Sequence, residues 1–140
     1  MGEKIRVIVV DDVEQTRTDI KRLLYFEEDL EVVGEAANGR EALEVINKTK
    51  PDVVLMDINM PVMDGIAATE AATLAHPSLA IIIISIQGEQ EYLRKAMAAG
   101  AREYLVKPLS SEEMSGAIRQ VYRLSRRRRG SKTPEAASGT

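Results

Sequence analysis

Asp11, Asp12, Asp57, Ser85 and Lys107 are of the types that metal-assisted group transfer needs, and each stands just after a short apolar run. Ile5 to Val10 precedes the acid pair, Val53 to Met56 precedes Asp57, Leu79 to Ile84 precedes Ser85, and Tyr104-Leu105-Val106 precedes Lys107. Three carboxylates at one water-accessible point repel: a like-charge pair at about 4 Å costs about 1 kcal/mol in water and roughly 4 at an intermediate dielectric. Protonation, the Lys107 ammonium or a divalent cation would compensate. An all-oxygen set suits Mg²⁺, which takes few protein ligands and keeps several waters. Asp12 and Asp57 are then the expected direct ligands, Asp11 acts directly or through water, and the backbone carbonyl of Asn59 completes the set. A carboxylate beside a metal and a lysine is also a nucleophile towards phosphorus, giving an acyl phosphate. Such transfer needs mainly alignment and neutralisation of the phosphoryl oxygens. Mg²⁺ would meet one of these, Lys107 a second, and the Ser85 hydroxyl with nearby backbone N–H groups a third.

For these groups to meet, the apolar runs must be neighbouring strands of one sheet. Val53 to Met56, opened by Pro51 and closed by Asp57, reads as a strand buried on both faces, as in parallel sheets. Ile5 to Val10 is a β-branched strand, followed by a helix from Val13 to Phe26 with Ile20, Leu23 and Leu24 at helical spacing. Glu31 to Ala37 reads as a strand, Asn38-Gly39 as a turn, and about Arg40 to Lys48 as a helix whose apolar side is Ala42, Leu43 and Ile46. Pro61 and Asp64-Gly65 make a turn before an alanine-rich helix from Ile66 to Ala75, which ends near His76-Pro77. Leu79 to Ile84 is a fourth buried strand, Glu89 to Ala99 a helix with Leu93, Ala96 and Met97 apolar, and Gly100 its cap. Arg102 to Val106 is a fifth strand, polar enough at its start for a sheet edge. Ser110 and Glu113 form a capping box for a last helix with a stripe of Met114, Ala117, Ile118, Val121 and Leu124.

Strands alternating with helices predict an α/β fold: a doubly wound, five-stranded parallel sheet with right-handed crossovers and helices on both faces. The flavodoxin-like order 2-1-3-4-5 sets the ends of the first and third strands side by side at the switch point, bringing Asp11, Asp12 and Asp57 together.

The 140 residues suffice for one domain with a real core, expected over residues 1–122. Absence of cysteine excludes disulfides and thiolate chemistry. No run is long enough to span a bilayer and Met1-Gly2-Glu3-Lys4 leads straight into a strand, so a cytoplasmic location without membrane association is expected. From Arg123 onward six basic residues face one acidic, a balance of +5 that leaves −8 on the part before it within the net charge of −3. An acidic globule is a poor nucleic-acid binder through its body. The Arg126–Arg129 run reads as a solvated helix end favoured by the macrodipole, opening a flexible tail or linker over 123–140, with a nucleic-acid or membrane patch as its alternative.

The ordered set resembles the receiver domain of two-component response regulators over about Lys4 to Tyr122. It consists of Asp11-Asp12, Asp57 with Met60-Pro61 and Asp64-Gly65, Ser85, Tyr104 and Lys107-Pro108. The resemblance implies that Asp57 accepts a phosphoryl group from a phosphohistidine on a sensor histidine kinase or a histidine phosphotransfer protein. It implies that Asp12, Asp57 and Asn59 bind Mg²⁺ and that Ser85 and Lys107 hold the phosphoryl group. Tyr104 is implied to rotate inward on activation, Lys107-Pro108 to be cis, and the surface of helix 4, strand 5 and helix 5 to meet an output domain or a second copy. Asn59 and Gln87 would flank the phosphate and affect its hydrolysis. The chemistry is then confined to gain and loss of phosphate at Asp57 and is not that of a free-standing enzyme.

Three rivals bear on the same residues. An aspartate-nucleophile phosphohydrolase of the haloacid dehalogenase type usually has a second aspartate where Asn59 stands, and the chain has no room for a cap domain. A nucleotide- or flavin-binding protein would need a phosphate loop, and neither GxGxxG nor GxxxxGK[ST] occurs. A receiver-like interaction module that works without phosphate would have no use for the complete acceptor set. Taken singly, Asp11 or Asp12 would serve as a helix cap.

Overall fold

The computed structural model describes residues 3–86 and 91–138, with side chains described as far as Arg126. The elements alternate as β1 (Ile5–Val10), α1 (Glu14–Tyr25), β2 (Leu30–Ala36), α2 (Gly39–Thr49) and β3 (Val53–Asp57), then α3 (Gly65–Ala75), β4 (Ala80–Ser85), α4 (Glu91–Ala99), β5 (Glu103–Val106) and α5 (Ser111–Ser138). All strand pairs are parallel, in the order β2-β1-β3-β4-β5 expected from the sequence. Gln87 and the predicted first turn of α4 at Glu89 lie outside the described residues.

Alternation along the strands divides the core in two, because successive side chains of a strand point to opposite faces. Ile5, Val7 and Val9 of β1 pack with Ile20 and Leu24 of α1 and with Met114 and Ile118 of α5. Ile8 and Val10 face the other way, onto Ala42 and Ile46 of α2, Ala68 and Ala72 of α3 and Ala96 of α4. With helices on both faces, every residue of β4 is buried. A continuous apolar run is what such a strand requires. Among the described residues no helix is long and apolar enough to cross a membrane.

Local signals start α2, α3 and α5 and end α4 close to where the sequence placed them. Asn38 caps α2 by accepting from the N–H of Glu41, and Asp64 caps α3 by accepting from the N–H of Ala67. At the start of α5 the capping box is closed in both directions, with Glu113 N–H donating to Ser110 Oγ and Ser110 N–H to Glu113 Oε1. Gly100 ends α4 at φ +113°, a region that favours glycine.

Three readings of the stripes need correction. Leu23 is partly exposed while Leu24 is buried, since neighbouring helix positions lie about 100° apart and a narrow stripe admits one of them. Leu124 is exposed, and Ser125, four residues after Val121, takes the core-facing position with its hydroxyl accepting from Arg102. Leu93 and Met97 of α4 are exposed as well, leaving Ala96 as the buried contact of that helix. The backbone of α5 stays helical to Ser138, through the segment expected to be a flexible tail. Arginine is a good helix former, so the run from Arg126 to Arg129 does not break the helix.

The α1–β2 loop is tied to α5 by Arg119, which donates to both carboxylate oxygens of Asp29 and to Glu27 Oε1. These hydrogen bonds hold the Asp29 carboxyl below its ordinary pKa. Asp29 therefore adds stability above the unfolded-state value, and this stability disappears as pH falls through the lower folded one. Arg119→Ala should cost about 1 kcal/mol, a few degrees in melting temperature at pH 7, because the partners are half exposed. Melts at pH 7 and pH 3 check this, with the difference between variant and wild type shrinking at pH 3.

Candidate functional site

Register brings the chemistry to one edge. Val10 is paired with Met56, so Asp11 and Asp57 each follow at the same level; Asp57 is paired with Ile84, and Ser85 with Val106. Asp11, Asp57, Ser85 and Lys107 therefore leave four adjacent strands within about one residue of a common line. This is the carboxyl edge of the sheet, and β1 and β3 flank its switch point.

Asp11, Asp12 and Asp57 can each place a carboxylate oxygen within 4.8 Å of the other two. Asp11 is buried, Asp12 exposed and Asp57 intermediate, so the cluster opens to solvent on one side. Burial pushes the Asp57 carboxyl up to about 6 from 3.8, and the Asp11 charge adds to the rise. The Lys107 ammonium and the N–H of Ile58 act in the opposite sense. Lys107 Nζ lies 3.3 Å from Asp11 Oδ2, so Asp11 is its direct partner in the cluster. Three oxygen donors with one lysine leave surplus negative charge. That donor set fits a hard, oxygen-seeking divalent cation such as Mg²⁺ and offers no nitrogen or sulfur for a softer metal.

The second pair of predicted residues is joined by a hydrogen bond. Tyr104 OH donates to Ser85 Oγ at 2.9 Å, and Ser85 Oγ donates to the carbonyl of Ile86 at 2.9 Å. Ser85 is buried and Tyr104 half-buried. Lys107 N–H donates to Ser85 O, and the Lys107-Pro108 bond is cis.

The loop between β3 and α3 is tightly folded. Met63 N–H donates to Pro61 O around Val62, whose φ is +71°, forming a γ-turn rare for a β-branched residue. Gly39 N–H then donates to Met63 O, and Gly65 N–H to Ile58 O. Asn59 is exposed in this loop, two residues beyond Asp57.

Two contacts in the site lie outside the sequence reading. A Cβ on Gly65 would lie 1.9 Å from the carbonyl oxygen of Asp57, so this glycine sits directly against the backbone of the central carboxylate. Arg17 of α1 donates from Nη1 to the main-chain carbonyl of Asp11 and from Nε to Glu35. An arginine one helical turn after the acid pair reads as a solvated surface charge, and its spacing is the one hint of the contact.

Residues 7–119 match the family model described as response regulator receiver domain. The uncharacterized transcriptional regulatory protein YhcZ of Bacillus subtilis is 42% identical over 118 residues, 84% of this chain and 55% of YhcZ. The chain thus spans about half the length of that curated relative. The response regulator domain of Thermotoga maritima CheB superimposes with a TM-score of 0.80 at 33% identity, covering 86% of this chain and 98% of that one. The CheX-CheY-BeF3-Mg+2 complex of Borrelia burgdorferi gives a TM-score of 0.80 at 27% identity, covering 86% and 91%.

Proposed function

Because this chain belongs to the receiver domains of two-component response regulators, we propose that Asp57 is its phosphoacceptor. The observation that carries the reading is the convergence of three carboxylate oxygens within 4.8 Å of one another, with Lys107 at 3.3 Å from one of them. At neutral pH an acid with a pKa of about 6 is mostly ionised and therefore nucleophilic. An Asp57 oxygen attacks phosphorus, an O–P bond forms, and the P–N bond of a donor phosphohistidine breaks. The electron pair stays on the imidazole, which leaves neutral with its proton on the other nitrogen. The donor is a sensor histidine kinase or a histidine phosphotransfer protein.

Asp11, Asp12 and Asp57, with the Asn59 carbonyl, would hold Mg²⁺, which when bound neutralises charge on the phosphoryl oxygens. That a structural neighbour was solved with BeF3 and Mg²⁺ supports this donor set. Lys107 reaches a phosphoryl oxygen while keeping Asp11, and Ser85 donates its hydroxyl to the phosphoryl group. Tyr104, bonded to Ser85, follows the movement and alters the surface formed by α4, β5 and α5. Leu93, Met97 and Val106 are exposed on these elements and give that surface an apolar component. An output domain or a second copy of the chain is its partner. Residues 1–122 form the phosphoacceptor domain, and residues 123–140 link it to an output domain in a longer, cytoplasmic regulator. Any nucleic-acid contact belongs to that output domain.

Incubation with Mg²⁺ and acetyl phosphate, followed by intact mass and peptide mapping, tests the acceptor. One phosphoryl adduct is expected, labile to hydroxylamine, mapping to Asp57 and absent in EDTA. A cooperatively folded protein that takes no phosphate from acetyl phosphate or from a phosphohistidine donor would overturn the reading.

A further inference from the structure

We propose that Arg17 is the positioning residue of the acid cluster: its guanidinium ties the Asp11 carbonyl to Glu35 and so holds the Asp11-Asp12 turn open towards Asp57. The inference rests on the reading of that cluster as a Mg²⁺ site.

The contacts are specific. Arg17 Nη1 lies 2.7 Å from Asp11 O, and Nε lies 2.7 Å from Glu35 Oε1. The side chain is 14% exposed, so this is a largely buried cation and not a loose surface charge. Glu35, near the end of β2, also meets the half-exposed Lys21 Nζ on its other oxygen at 2.6 Å, a contact separate from the one Arg17 makes to Oε1. The N–H of Asp11 donates to Ala36 O, the residue after Glu35. Both main-chain polar groups of Asp11 are thus anchored, one to β2 directly and one to α1 through Arg17.

The turn needs such an anchor. α1 begins at the N-cap Val13, which supplies no side-chain cap, while Asp11 Oδ1 accepts from Val13 N–H. In an ordinary helix start a cap at that position would close the turn. Here the Asp11 carboxylate accepts the Val13 N–H, and the planar fork of an arginine adds a separate tie, donated from within the helix to the Asp11 carbonyl. A lysine has no such fork and cannot reproduce two contacts of fixed relative direction.

Charge and position predict opposite signs, which makes the role testable. A cation held on the Asp11 main chain acts through its charge only to weaken the cluster's hold on Mg²⁺, so removing it should tighten binding if charge were its whole contribution. If Arg17 sets the position of the ligands, removal should weaken binding, and supporting hydrogen bonds of this kind are worth about 10- to 100-fold in metal affinity.

The experiment is a Mg²⁺ titration by calorimetry of wild type, Arg17→Gln, Arg17→Lys and Lys21→Gln, with the Asp12 and Val13 amide signals followed by NMR. Arg17→Gln and Arg17→Lys are expected to bind about tenfold more weakly. Their Asp12 and Val13 amides should be displaced before metal is added. Lys21→Gln, which removes a charge from the same carboxylate without touching Asp11, should bind no more weakly than wild type. Arg17→Lys keeps the charge and the aliphatic stem, so it decides the question if Arg17→Gln melts early. Equal or tighter binding by the Arg17 variants overturns the proposal, as does equal weakening by Lys21→Gln. A wild type that binds no Mg²⁺ overturns the metal reading beneath it.

Discussion

Asp57→Asn is expected to abolish phosphoryl uptake outright while making the metal-free protein more stable at pH 7.5. The amide is nearly isosteric but is no nucleophile, so the labile adduct should disappear from the mass spectrum even with Mg²⁺ and acetyl phosphate in excess. The stability gain follows from the raised acid. With a folded pKa of about 6 against 3.8, Asp57 contributes stability that is complete below pH 3.8 and lost as pH rises through about 6. Above that range the folded metal-free protein carries an ionised carboxylate that burial and Asp11 disfavour. Each tenfold change in proton affinity is worth about 1.4 kcal/mol. Solvent screening of this half-open group reduces the total to about 1 to 2 kcal/mol. Melting curves check the sign: the variant should melt higher than wild type at pH 7.5, and the two should converge near pH 4. Mg²⁺ at about ten times its dissociation constant should raise wild type by about 1.4 kcal/mol and leave the variant nearly unmoved. A variant less stable at pH 7.5 would mean that the carboxylate is not under strain in the folded state.

Gly65→Ala should be the most damaging single methyl in the acceptor loop. The added carbon would lie 1.9 Å from Asp57 O, 2.9 Å from Asp57 C and 3.1 Å from Ile58 Cα. Every one of these is main chain, so no rotamer change relieves the overlap. Overpacking generally costs about 1 to 3 kcal/mol, and a clash confined to backbone belongs at the upper end, roughly 10 °C in a domain of this size. The loop must move to accept the methyl, and the Gly65 N–H bond to Ile58 O moves with it. Uptake of phosphate should therefore slow even at temperatures where the variant is fully folded. Thermal melts beside timed uptake from acetyl phosphate separate the two losses. Unchanged melting would show that the loop has room the geometry denies it.

The parallel sheet and the gathering of Asp11, Asp12, Asp57 and Lys107 were legible because both depend on order along the chain. A buried parallel strand is a continuous apolar run, and its last residue emerges at a known edge. Once β1, β3, β4 and β5 were recognised, their terminal residues had to converge. What escaped the sequence is what depends on close approach between segments remote in order or on a choice among near-equivalent faces. Gly65 looks like any turn glycine until the Asp57 carbonyl is seen against it. Arg17 looks like any helix arginine until Glu35 is found beside it. Leu23 and Leu124 fit helical spacing as well as Leu24 and Ser125 do, and the packing of α1 and α5 decides between them. The γ-turn at Val62 was hidden for another reason: a β-branched residue is a poor candidate for φ +71°, and the bonds from Gly39 to Met63 and from Gly65 to Ile58 hold the loop around it.

The hydrogen bonds of Ser85 and Lys107 differ in how many protons stand behind them. An ammonium carries three, so Lys107 can reach for a phosphoryl oxygen while still touching Asp11. A hydroxyl carries one, and Ser85 has it on the Ile86 carbonyl. If Ser85 takes the phosphoryl contact proposed for it, its one proton must leave the Ile86 carbonyl. On that proposal Lys107 would answer in degree and Ser85 in kind, and Tyr104, whose own proton rests on the Ser85 oxygen, would inherit the two-valued answer.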